Sequence, residues 1–94
     1  MDKTNKNQES KIQEQAMFYF LNSKFDEAIE EFKKVLEINP ANSDALCSLG
    51  LIYENRKMIE EAKKMYEKTL IIDKQNKVAT EHLNKLIGIN NEQD

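Results

Sequence analysis

Apolar residues recur every three or four positions through most of the chain, and polar breaks divide them into five stretches of helical period. Ile12, Ala16, Tyr19 and Phe20 mark a first helix, Asn22-Ser23-Lys24 interrupts it, and Phe25, Ala28, Ile29, Phe32, Val35, Leu36 and Ile38 mark a second. Asn39-Pro40-Ala41-Asn42 then stops the helix, because Pro40 has no amide hydrogen to donate and biases Asn39 away from helical angles. A third helix follows over about 43–56 with Ser43 as its N-cap. After a short connection at Lys57-Met58 come a fourth helix over 59–72 and a fifth over about 77–89, which carries Ala79, Leu83, Leu86 and Ile87 on one side. The pattern predicts an all-α fold of about five antiparallel helices. Polar residues 1–8 are expected to be a disordered N-terminal segment and residues 90–94 a flexible tail.

One stretch does not fit a single buried face. Met17, Phe18, Tyr19, Phe20 and Leu21 are apolar in succession, and at roughly 100° per residue such a run sweeps more than a full helical turn. Three coverings are open for what is left over: the chain's own N-terminal segment, a partner, or a second copy of the chain. Residues 1–8 are too polar to shield it well.

The five stretches are not independent. Sliding the chain by 34 residues sets 9–42 on 43–76 without a gap and pairs identical residues at Tyr19/Tyr53, Glu27/Glu61, Ala28/Ala62, Lys34/Lys68, Leu36/Leu70, Ile38/Ile72 and Asn42/Asn76. Ile12/Leu46, Ala16/Gly50, Phe25/Ile59, Asp26/Glu60 and Phe32/Tyr66 keep size or charge. Two hairpins of the same plan are therefore followed by one further helix. Small residues at 16 or 50 and at 28 or 62 would let paired helices approach to about 8–9 Å, with the aromatic residues filling the space beside the contact.

A 34-residue helix-turn-helix unit with this residue order resembles the tetratricopeptide repeat (TPR), whose pattern runs W-x2-L-G-x2-Y, A-x3-F, P. The first unit, 9–42, supplies Ile12, Gln15, Ala16, Tyr19, Ala28, Phe32 and Pro40, and the second, 43–76, supplies Leu46, Leu49, Gly50, Tyr53, Ala62, Tyr66 and Lys74. The helix at 77–89 then caps the second hairpin. Gln15 stands where the pattern has Leu, Ser23 where a turn glycine is common, and Lys74 where Pro would be.

The resemblance implies a right-handed α-α superhelix in which the first helix of each repeat lines a concave face. On that geometry Tyr19 faces its own hairpin and Phe18 the neighbouring repeat. Met17, Phe20 and Leu21 then point into the concavity with Gln13, Cys47, Leu51, Glu54, Asn55, His82 and Lys85. The groove is expected to be apolar at one end and mixed at the other. It implies a non-enzymatic protein-interaction module, an adaptor or scaffold taking an apolar or amphipathic segment of another protein. Self-association, as a homodimer through the apolar first helix or within a longer array, is the alternative. The family's carboxylate clamp for chaperone tails needs Lys, Asn and Arg on successive first helices. The corresponding places hold Gln13 and Met17, then Ser48 and Leu51, then Glu81, His82 and Lys85, so tight binding of an acidic tail is not expected.

Composition narrows the field further. The 94 residues form one small domain, 39% apolar and 33% charged with two Gly and one Pro, a balance suited to helices. A net charge of −3 with lysines interleaved among acids leaves no basic surface for nucleic acid. The start lacks the apolar core of a secretory signal and no apolar run approaches the ~20 residues that span a bilayer, so a cytoplasmic location without membrane insertion is expected. The single Cys47 agrees with a reducing compartment. DEAIEEFKK at 26–34 and EEAKKMYEK at 60–68 place acids early and lysines late, with Glu30/Lys34 and Glu60/Lys64 four apart, and read as solvated outer faces rather than docking strips.

Catalytic signals are thin. Cys47 and His82 fall near the concave side and could form a thiolate dyad, but no orienting group or oxyanion turn accompanies them, and a lone helical cysteine reads as a packing residue. The same pair falls short of a four-ligand zinc set. Gly50 and Gly88 are the only glycines, so no phosphate loop is present, and adjacent acids such as Glu30-Glu31 diverge around a helix. No metal, cofactor or enzymatic activity is expected.

Overall fold

Each break read from the sequence becomes a tight reversal between two helices. The computed structural model describes residues 2–88, with side chains from residue 6 onward. Its elements are α1 (Asp2–Leu21), α2 (Phe25–Ile38), α3 (Ser43–Asn55), α4 (Ile59–Ile72) and α5 (Lys77–Ile87), with no strand among the described residues. Neighbours in sequence pack on one another, α1 on α2, α3 on α4 and α4 on α5, while α2 meets α3 to join the hairpins.

The helix ends differ from expectation at three places, each with a chemical cause. Residues 2–8, expected to be disordered, belong to α1. No glycine or proline interrupts residues 2–21, so a helix nucleated by packing further along extends through Asp2–Gln8, where Asp, Thr and Asn are weak helix formers but cost less than about 1 kcal/mol each. Asn42 rather than Ser43 caps α3, its side-chain Oδ1 accepting the Ala45 amide at 3.0 Å; Asn76 does the same for α5 through Ala79 at 2.9 Å. The fifth helix stops at Ile87 because Gly88 takes a left-handed conformation, φ 77°. Ile89 and the expected tail at 90–94 lie outside the described residues.

Two small cores form, one at each junction. Ala16, Ala28, Phe32, Val35, Ala45, Leu49 and Ile52 make the first, with Ile12, Tyr19, Phe20 and Phe25 packed against it. Cys47, Ala62, Tyr66 and Ala79 make the second, with Leu51, Leu70, Leu83 and Leu86 around them. The small residues act as spacers, most tightly at Gly50, where a Cβ would lie 2.6 Å from Cε1 of Tyr66. Thr69 is buried where the first repeat has Val35, and its hydroxyl donates to the Met65 carbonyl at 2.8 Å, so the polar atom is satisfied within its own helix.

The outer charges settle as a solvated face. Lys34 pairs with Glu31 at 3.2 Å and Lys63 with Glu60 at 3.5 Å, three apart rather than the four expected. Arg56 reaches Asp26 at 2.7 Å across the hairpin junction, but Asp26 is 82% exposed, so this bridge adds little.

The reversals inside each hairpin are the same structure twice. The Lys24 amide donates to the Tyr19 carbonyl at 2.8 Å and Ser23 to Phe20 at 3.0 Å; 34 residues on, Met58 donates to Tyr53 at 2.9 Å and Lys57 to Glu54 at 2.9 Å. This helix-ending pattern needs a left-handed residue, which glycine supplies without penalty. Here Ser23 (φ 59°) and Lys57 (φ 65°) supply it.

Two stability outcomes follow. Lys57→Gly removes a side chain from a left-handed position and raises stability by about 1 kcal/mol. Gly50→Ala gains up to about 1 kcal/mol of helix propensity yet drives a methyl into the buried Tyr66 ring, an overpacking cost of about 1–3 kcal/mol. The clash wins, and denaturant melts record a net loss for Gly50→Ala against a gain for Lys57→Gly.

Candidate functional site

Because helices of one hairpin pack closely while α1, α3 and α5 touch each other only lightly, these three first-position helices leave a trough between them. Three adjoining hollows occupy it. One of about 280 Å³ is lined by Gln13, Met17, Asp44, Cys47, Ser48, Leu51, Asn76 and Val78. A second, beside it on α1, adds Ser10 and Glu14; a third lies among Leu51, Glu54, Asn55, Lys57 and His82.

The trough brings together seven of the ten residues expected there: Gln13, Met17, Cys47, Leu51, Glu54, Asn55 and His82. Lys85 joins through Glu54, 3.7 Å from its Oε2. Phe20 does not line a hollow; it is half-buried against the first core with its ring 6.1 Å from that of Phe25. Leu21, the register counterpart of Asn55, is 74% exposed and lines none of the hollows. Phe18, expected to face a neighbouring repeat, is 59% exposed, its ring set edge-to-face with that of Tyr19 at 6.0 Å.

The polar end of the trough is built around Glu54. Its Oε1 accepts a hydrogen bond from the Tyr66 hydroxyl at 2.7 Å and lies 2.8 Å from His82 Nδ1. An ionised carboxylate can only accept, so the imidazole proton sits on Nδ1. Burial alone would push Glu54 up, but the hydrogen bonds from Tyr66 and His82, with the charges of His82 and Lys85, outweigh it and hold the carboxyl below its ordinary value. Burial pushes the Tyr66 hydroxyl well up, and Glu54 adds to this, so Tyr66 stays a neutral donor.

Chemistry at Cys47 goes against the dyad considered above. His82 points its Nδ1 at Glu54, while Cys47 Sγ lies 3.9 Å from Asn76 Oδ1. Burial, and then the Asp44 charge, push the thiol above its ordinary value, the reverse of what an activated nucleophile needs. Among the described residues no three His, Cys, Asp or Glu gather as a metal site, and no helix is long and apolar enough to cross a membrane.

Sequence reasoning missed the amides. Asn42 Nδ2 lies 2.8 Å from both Glu9 Oε2 and Gln13 Oε1, and Asn39 Nδ2 donates to the same Glu9 oxygen at 2.8 Å. These contacts pin α1 to the turn before α3. The repetition of Asn at 42 and 76 was the available signal.

Family models bear directly on this geometry. One described as TPR repeat matches residues 18–56 and one described as tetratricopeptide repeat matches 43–76, in register with the second unit. The chain belongs to the tetratricopeptide repeat family. Among solved structures, this TPR chain is similar to the first TPR of Spaghetti (RPAP3) bound to HSP90 peptide SRMEEVD, at 23% identity and a TM-score of 0.50, over 85% of this chain and 90% of that one. That likeness speaks for the fold. No curated protein matches the chain significantly.

The Glu54 cluster sets a pH dependence. Its folded-state pKa lies below the unfolded one, so its stabilisation is present above the ordinary glutamate value and is lost as pH falls through the folded-state value. Glu54→Gln is therefore expected to cost about 1 kcal/mol at neutral pH, and the gap to the parent closes below about pH 4. Urea melts of both proteins across that range check it.

Proposed function

We propose that this TPR chain is a non-enzymatic adaptor that takes an apolar or amphipathic segment of a partner protein into the trough between α1, α3 and α5. The observation that carries this reading is the unfilled floor of Met17, Leu51 and Val78 between helices that the family's packing holds apart. The repeat assignment supports it, as does the peptide carried by the structural relative. A cytoplasmic setting fits the single reduced cysteine.

The occupant differs in kind from that relative's acidic peptide. The cation set of a carboxylate clamp is missing, and the two basic groups at the places that could supply it, His82 and Lys85, are already turned to Glu54. Exposed Phe18 and Leu21 support self-association as a second reading.

A fluorescein-labelled amphipathic peptide of leucine and serine tests the first reading by anisotropy. Binding is expected to saturate, and Leu51→Asp to weaken it by at least about tenfold, while SRMEEVD gives no heat in calorimetry at micromolar concentration. Sedimentation over a range of concentrations separates the readings: a strict monomer removes self-association, and a dimer abolished by Leu21→Asp would replace the adaptor reading with it.

A further inference from the structure

We infer that the hollow between α1, α3 and α5 selects a segment carrying a lysine or arginine next to an apolar side chain; this rests on the trough being the binding face. The first ground is a difference between the two repeats. Asn42 and Asn76 occupy the same register and each spends its Oδ1 on capping the next helix. Asn42 Nδ2 is then consumed by Glu9 and Gln13. Thirty-four residues on, those two acceptors are replaced by Ser43 and Cys47. Cys47 Sγ faces Oδ1 of Asn76 at 3.9 Å, and Asn76 Nδ2 has no hydrogen-bond acceptor among the described residues. The shorter side chain at 47 opens the hollow and leaves an amide donor at its wall, suited to a main-chain carbonyl of an incoming segment.

The second ground is charge. Asp44 is exposed at the hollow, Glu14 borders the adjoining one, and neither makes an ion pair among the described residues. Lys77, beside Asn76, makes none with Asp44 either. Asp44 also bears on the floor, since its charge helps raise the Cys47 thiol. At the opposite end of the trough Lys85 is drawn to Glu54. An apolar side chain over Met17, Leu51 and Val78 would thus bring a neighbouring cation against unpaired carboxylates, whereas an acidic neighbour would meet like charge.

Three labelled peptides with the same leucine positions and Lys, Glu or Gln between them decide the matter by anisotropy at low and high salt. The Lys peptide is expected to bind at least about tenfold tighter than the Glu peptide, with the advantage shrinking in salt. Asp44→Asn lowers Lys-peptide affinity about threefold. Cys47→Gln restores to Asn76 the kind of partner that Gln13 gives Asn42 and fills the hollow, lowering affinity about tenfold. Ile71→Ser, on an exposed position of α4, leaves it unchanged. Should Cys47→Gln fail to fold, Asp44→Asn carries the test alone. Equal binding of the Glu or Gln peptide, or unchanged affinity in folded Cys47→Gln or in Asp44→Asn, overturns the inference and leaves the trough standing; failure of all three peptides to bind overturns both.

Discussion

The contact between the Tyr66 ring and the bare backbone at Gly50 sets the spacing of α3 and α4, and the rest of the second hairpin depends on it. A methyl group at position 50 would push the ring away from α3. Because the ring lies flush, its hydroxyl comes within 2.7 Å of Glu54, and Glu54 in turn holds His82 on α5. One close approach in the core therefore positions a carboxylate on the trough wall and docks the next helix. Packing and site geometry here share the same atoms, which is why a core glycine bears on the shape of the trough.

The two hairpins use one backbone plan with opposite chemistry. Phe20, Phe32, Ser48 and Leu51 in the first register become Glu54, Tyr66, His82 and Lys85 in the second. Phe20 closes over the first core beside Phe25 and needs no polar partner. Glu54, partly withdrawn from water at the equivalent place, would be costly alone but is met by donors from α4 and α5. The trough is consequently apolar between α1 and α3, with acids that make no ion pair among the described residues, and internally compensated where α3 meets α5.

Most of the fold was legible because its signals are local. Apolar period, the proline stop and the 34-residue register fix five helices, and the small residues at 16, 28, 50 and 62 are buried as spacers. Less of the site was legible. Periodicity assigns a residue to a face but not to a neighbour, so Phe20 and Leu21 looked alike although Phe25, just past the turn, half-buries one and nothing covers the other. The asparagines read as turn formers because that is their local role. Their second role, reaching Glu9 and Gln13 from about thirty residues away, depends on how the hairpins stack. Ser23 and Lys57 show the converse: their matching position forecast a matching turn, while their chemistry gave no hint of a left-handed backbone.

Helix α5 is the most lightly held wall of the trough. Ala79 is its one fully buried residue, and Leu83 and Leu86 are only half-covered. Its remaining attachments lie on the trough side: His82 and Lys85 against Glu54, with the His82 ring 5.6 Å from that of Tyr66. In a stacked-repeat fold, stability is a sum of neighbour contacts, so the element with fewest apolar contacts opens most readily. A segment seated between α3 and α5 touches both sides of that junction and can bind only while it is closed. Occupancy and docking of α5 are then linked by mass action: whatever binds there also stabilises the helix that completes its own site.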